Sequence, residues 1–208
     1  MIAYGARKVT ELLLKEKVIE KEYEEVYQYG TELLLSTALD FLIVLIMGAI
    51  FGRTEAGILY FLVLATVRTQ AGGYHASTYF WCGCVYSITF LMVLGFVRVF
   101  SYIGVNFAYL MLSLLINNIF IWSQAPVLHN RRMEDEEKRL ARRNAGVSCM
   151  VWMCIAIFLY RIYPAAAYTI LASGIMISVY MMIGKQKEGK IYESRQKKES
   201  SYKYGESD

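Results

Sequence analysis

The chain has 208 residues, 56% of them apolar, only two prolines and a formal net charge of +4. Its apolar runs reach the roughly 20 residues that one helical bilayer crossing needs, which excludes an ordinary water-soluble domain and makes this a membrane protein. The basic excess lies in loops and tail, where membrane topology accounts for it, so nucleic acid is not an expected partner.

Residues 1–32 are charged and lack the compact apolar core of a cleavable signal. Val9, Leu12, Leu13, Ile19, Tyr23 and Val26 recur at about helical spacing among glutamates and lysines. That pattern predicts an amphipathic helix, lying in the headgroup region or packed on the protein's own loops. Residues 33–183 hold six apolar segments, at 33–51, 56–67, 79–100, 102–122, 145–163 and 165–183. The expected fold is all-α, a polytopic bundle of six transmembrane helices. The second segment is the short one, in the length range that also suits a re-entrant or interfacial element.

Charge placement argues that it crosses. Lys and Arg number five before Thr31, six between Ser123 and Asn144, and seven after Ile183, and cytoplasmic loops carry such an excess. Six crossings put all three regions, both termini and the loop with Arg68 and His75 in the cytosol, whereas five would export the arginine-rich loop around Arg131 and Arg142. The outer loops then hold only Arg53, Arg98 and Arg161. From Gly184 to residue 208, lysine, glutamate, serine and glycine dominate, and the expectation is a charged, disordered tail whose lysines can touch anionic lipid.

Between the second and third segments runs Arg68-Thr69-Gln70-Ala71-Gly72-Gly73-Tyr74-His75, with Cys82 seven residues on. A thiol with its usual pKa of about 8.5 is mostly protonated at neutral pH, so a nucleophilic cysteine needs a histidine or cation beside it. His75 can serve Cys82, and His129 is the only other histidine. Seven residues of continuous α-helix rise about 10.5 Å, too far for a base nitrogen to reach the sulfur. The chain must therefore bend between them, with His75 on a loop and Cys82 in the first turn or two of the third membrane helix, where the helix dipole supports an anion.

Each of these residues also has a plainer reading. Arg68 binds a substrate carboxylate or a developing oxyanion, or it snorkels to lipid phosphate. Gly72 and Gly73 let substrate backbone approach closely, or simply turn the chain. Asp40, inside the first apolar run, orients His75 as a third member or serves helix packing. Cys84 competes with Cys82, although two residues turn a helix by about 200° and point the two thiols apart. A zinc site from His75, Cys82 and Cys84 lacks a local fourth ligand, so no metal or other cofactor is expected. Cys82, Cys84, Cys149 and Cys154 all lie in or beside membrane segments and read as free thiols. Asn117 and Asn118 read as interhelical hydrogen-bonding residues.

The arrangement of Arg68, Gly72-Gly73, His75-Ala76 and Cys82 between the second and third segments resembles the AgrB family, the accessory gene regulator protein B of bacterial quorum sensing. Ala125-Pro126-Val127, Asn130-Arg131 and the charged stretch from Glu134 to Arg143 look like that family's second cytosolic loop, with His129 a departure from it. The resemblance implies a membrane cysteine endopeptidase of the bacterial cell membrane, its active site at the cytosolic face, acting on an AgrD-like propeptide. By carry-over, Cys82 is the nucleophile and His75 the base, and the acyl-enzyme thioester leads to a cyclic thiolactone or lactone peptide. A homodimer is implied in the same way. The chief rival is a nonenzymatic membrane peptide exporter or scaffold. A thioltransferase using Cys82 and Cys84 is weaker, because C-x-C is a poor redox signature.

Overall fold

The computed structural model describes residues 2–72, 78–127 and 134–205, with side chains through Gln186. The described residues are helical almost throughout, and five helices are long and apolar enough to cross a membrane.

Helix α1 (Ile2–Lys15) is amphipathic and packs on α2 (Glu24–Ile50). It does so through small residues, with Ala6 and Thr10 buried and Gly5 against Leu35. Of the apolar positions picked out by spacing, Ile19 is buried while Val9 and Leu12 stay exposed, free to meet lipid. The N-terminal unit is thus a helix and a turn, and α2 begins nine residues earlier than the apolar run at 33 suggested.

After α2 the chain reverses into α3 (Thr54–Val63), which continues through a π-helical turn (Leu64–Arg68) into the short α4 (Thr69–Ala71). This composite helix is the sixth apolar element. At its start Glu55 accepts a 2.7 Å hydrogen bond from the Tyr163 hydroxyl, just before the helix that begins at Pro164. At its end Gly72 pairs with Val127, just after the helix that ends at Gln124. It therefore runs the full height of the bundle, with Tyr60, Val63, Leu64 and Val67 facing the core.

Helices α5 (Tyr79–Ile103) and α6 (Phe107–Gln124) meet at a tight turn. Gly104 takes a left-handed conformation that favours glycine, and the Asn106 side chain caps α6 by accepting from the Tyr109 N–H. Those two residues explain why α6 starts at 107 and not at the hydropathic boundary of 102. Helix α7 (Asp135–Ile162) begins ten residues before its apolar run. Asp135, Glu136 and Glu137 fill its first turn, where the helix dipole favours negative charge.

Helix α8 (Pro164–Gly205) is the centre of the bundle. Of its most apolar window 67% is buried, against 17% for α2, α6 and α7, and it packs against α3, α5, α6 and α7. The outer helices instead leave Ile46, Ile88, Ile116 and Val151 exposed, the pattern of a lipid-facing surface. Polar groups inside are satisfied locally or across helices. Thr169 and Ser173 donate to carbonyls one turn back, and Asn117 Nδ2 donates to Ser178 Oγ at 2.9 Å. Asn118 reaches the Cys149 carbonyl, so both asparagines join helices as their sequence positions suggested.

Beyond residue 183, α8 continues as helix to Gly205, where composition suggested a disordered tail. The stretch contains no proline and is rich in Lys, Glu, Gln and Arg. Such residues propagate a helix that packing has already nucleated.

Candidate active site

Cys82 is the fourth residue of α5. Thr78 caps that helix from an extended conformation, its hydroxyl accepting from the Trp81 N–H at 3.3 Å while its carbonyl accepts from the Cys82 N–H at 3.0 Å. The thiol is half-buried. Its place in the first turns of a helix that begins at Tyr79 agrees with the bend its spacing from His75 requires. His75, Gly73, His129 and Arg131 lie outside the described residues.

Arg68 arrives from the neighbouring helix as the last residue of the π turn. Its guanidinium is near enough for its charge to act on the Cys82 thiol, and its carbon Cζ lies 5.0 Å from the ring centre of Tyr180 on α8. Asp40 arrives from α2. Its Oδ1 is 3.3 Å from the point a Cβ on Gly83 would occupy, so the missing side chain between Cys82 and Cys84 is what lets the carboxyl press against α5. The charges of both Arg68 and Asp40 act on the Cys82 sulfur. One cation, one carboxyl and one thiol, brought from three helices, thus converge at a single level of the bundle. Asp40 stands at the depth of Cys82 that its position in the first apolar run suggested.

The chemistry this permits follows from charge. A permanent cation beside a thiol supports thiolate, a tetrahedral oxyanion or a substrate carboxylate. A carboxylate there opposes the thiolate, so Asp40 is better suited to orienting a cationic partner than to activating sulfur directly. All four cysteines are free thiols. Among the described residues no three His, Cys, Asp or Glu side chains gather as a metal site, and the zinc arrangement weighed above includes His75, outside them.

Gly72 has a job that sequence did not assign. Its φ is +74°, and a Cβ there would sit 2.2 Å from the Val127 carbonyl oxygen. At this position the protein's own second loop makes a close approach to the backbone. Val127 N–H donates to Ala71 O at 2.9 Å, and Arg142 Nε donates to Ala125 O at 2.8 Å. The segment leading to His75 is thereby tied to the second basic loop.

Four further residues escaped sequence reasoning. Tyr60 donates to the Tyr86 carbonyl at 3.0 Å with their rings edge to face, and the Tyr180 and Thr89 hydroxyls are hydrogen-bonded to each other. Cys82, Tyr86 and Thr89 follow i, i+4, i+7 and so share a face of α5. That spacing was the one available signal, and it reads equally as core.

A lipid-facing helical bundle enclosing a thiol–arginine–carboxyl cluster defines a polytopic membrane protein with a candidate thiol chemistry. The accessory gene regulator B family model matches residues 6–183. The chain belongs to that family, whose members act in quorum-sensing peptide processing. Protein FsrB of Enterococcus faecalis is 24% identical over 180 residues, covering 81% of this chain and 74% of that relative. An AgrB-like protein of Clostridium beijerinckii is 24% identical over 156 residues, covering 75% and 73%. A second AgrB-like protein, from Clostridium perfringens, is 22% identical over 193 residues and covers 89% of each. No solved structure matches the chain.

Proposed function

We propose that this chain is a cysteine endopeptidase that cuts an AgrD-like propeptide at its C-terminal side and holds the N-terminal product as a thioester on Cys82. The observation that carries the reading is the convergence of Arg68 and Asp40 on Cys82 at the start of α5. Cys82 Sγ attacks the scissile carbonyl carbon, and its proton passes to His75. Arg68 faces the developing oxyanion or a substrate carboxylate, while Asp40 steadies the imidazolium. Collapse of the tetrahedral adduct breaks the C–N bond, and His75 returns the proton to the leaving amine. A cysteine or serine within the bound peptide then attacks the thioester, releasing a cyclic thiolactone or lactone and the free thiol. An internal nucleophile held nearby has a large effective concentration and outruns water.

The composite helix from α3 to α4 spans the bundle from the Tyr163 end to the Val127 end, which supports six crossings with both termini on one side. Arg142 and Lys185 lie at the Cys82 end, as expected if that end faces the cytosol. The exposed face of α1 then rests in the inner headgroup layer, where an amphipathic propeptide also gathers.

The test is co-expression with a candidate propeptide, reading cleavage and the mass of a trapped thioester. Cys82→Ala and His75→Ala abolish both, and Cys84→Ala retains substantial cleavage. Normal cleavage by Cys82→Ala would point to another nucleophile or remove the enzyme reading in favour of the exporter or scaffold.

A further inference from the structure

We propose that Tyr180, on the central helix α8, is a positioning residue that keeps the Arg68 guanidinium turned inward, on the side of the bundle where its charge acts on the Cys82 thiol. The inference rests on the reading of Arg68 as the cation that serves Cys82, and it adds a component from a helix about a hundred residues away in sequence.

Arg68 is the last residue of a π turn at the edge of the bundle, and a long side chain in such a place can snorkel to lipid phosphate. The structure turns it inward. Its guanidinium carbon sits 5.0 Å from the Tyr180 ring centre, within the distance at which an aromatic face attracts a cation. The ring is itself fixed. The Thr89 hydroxyl donates to the Val85 carbonyl at 2.7 Å, which commits its single proton and leaves the oxygen to accept from the Tyr180 hydroxyl. A directed relay, Tyr180 to Thr89 to Val85, therefore ties the phenol to α5, the helix that carries Cys82. Tyr180 is buried, so neither water nor lipid competes for the ring face. Among the described residues, the titratable groups around this point are Asp40 from α2, Tyr60 from α3, and Cys82 and Tyr86 from α5. Asp40 is the only carboxylate among them. That carboxylate and the headgroups compete for the guanidinium, and the ring favours the inward position near the sulfur.

The experiment measures local charge at the thiol and needs no propeptide. The full-length chain in phosphatidylcholine nanodiscs is alkylated at Cys82 with iodoacetate or iodoacetamide, and peptide mass spectrometry reads the ratio of the two rates. Both reagents react with thiolate, so the ratio cancels thiolate fraction and general accessibility and reports the field felt by the anionic reagent. Arg68→Gln should lower the ratio about fivefold, the scale of one nearby, partly screened unit charge. Tyr180→Leu should lower it about threefold, and the Arg68→Gln/Tyr180→Leu double variant should fall no further than Arg68→Gln alone, because the ring acts through the cation. Tyr180→Phe keeps the ring face and should restore the ratio to within about twofold. Tyr180→Met gives a second non-aromatic replacement where Leu prevents folding. A ratio left unchanged by Tyr180→Leu or Tyr180→Met while Arg68→Gln lowers it would overturn the inference. No change in Arg68→Gln itself would remove the Arg68–Cys82 reading on which it stands.

Discussion

The two ends of the bundle handle charge in opposite ways. At the Cys82 end, Arg68 and Asp40 are drawn inward from different helices and meet a half-buried thiol beneath aromatic side chains. At the other end, Arg53 donates to the Tyr163 hydroxyl at 3.0 Å and lies 3.7 Å from Glu55, all exposed, beside a cavity of about 570 Å³ that Arg98 and Ser101 also line. Charges in contact with water cost little and contribute little. Charges taken into a packed interior are expensive, so their presence there points to a use. The contrast is an energetic argument, independent of any motif, for the proposal that places function at the first end.

The largest expected departure is at Gly72. Gly72→Ala places a methyl group against the Val127 carbonyl and forces an alanine into a positive φ, so it should destabilise the fold by about 3 kcal/mol. Thermal unfolding in detergent should show the loss, and cleavage should fail because the two loops separate. Next comes Asp40. Asp40→Asn should reduce cleavage about tenfold, below the roughly 10²–10⁴-fold that an acid–base group itself contributes, because Asp40 acts only through that group, with the melting temperature little changed. An equal loss of cleavage on replacing Glu55 would break the distinction between the two ends. Arg142→Gln, which removes the 2.8 Å bond to Ala125 O, should cost about 1–2 kcal/mol and lower cleavage severalfold, since a charged donor to a carbonyl is lost. Smallest is Tyr163→Phe at the far end, where unfolding should shift by less than about 1 kcal/mol and cleavage stay unchanged. The same hydroxyl gives a pH signature. Its hydrogen bond to Glu55 and partial burial raise its pKa. Its small contribution is therefore present below the ordinary tyrosine value and fades as pH rises through the folded one, a slope that Tyr163→Phe removes.

The sequence made Arg68 and Asp40 legible because a charged residue in or at the end of a hydrocarbon segment is conspicuous, and Cys82 legible through its spacing from Arg68 and His75. Tyr180, Tyr86 and Thr89 are not conspicuous, since tyrosine and threonine are ordinary in membrane helices and their partners lie on other helices. Six apolar elements followed from hydropathy, and five of them are helices long and apolar enough to cross a membrane. Their ends did not follow, because caps set them: Gly104 and Asn106 delay α6, and the acidic first turn starts α7 early. The role of Gly72 was hidden for another reason. Its need for glycine comes from Val127, more than fifty residues on, and no local spacing reports a contact at that range.

The π turn from Leu64 to Arg68 amounts to one residue more than an α-helix would use over the same height. Each residue rotates a helix by about 100°, so that extra residue decides the compass bearing on which the guanidinium leaves the helix. A chain shortened by a single amino acid at this point would keep its hydropathy, its length class and every cysteine, yet aim its cation at a different neighbour. The proposed chemistry therefore hangs on a count of residues that alignment by composition would never notice.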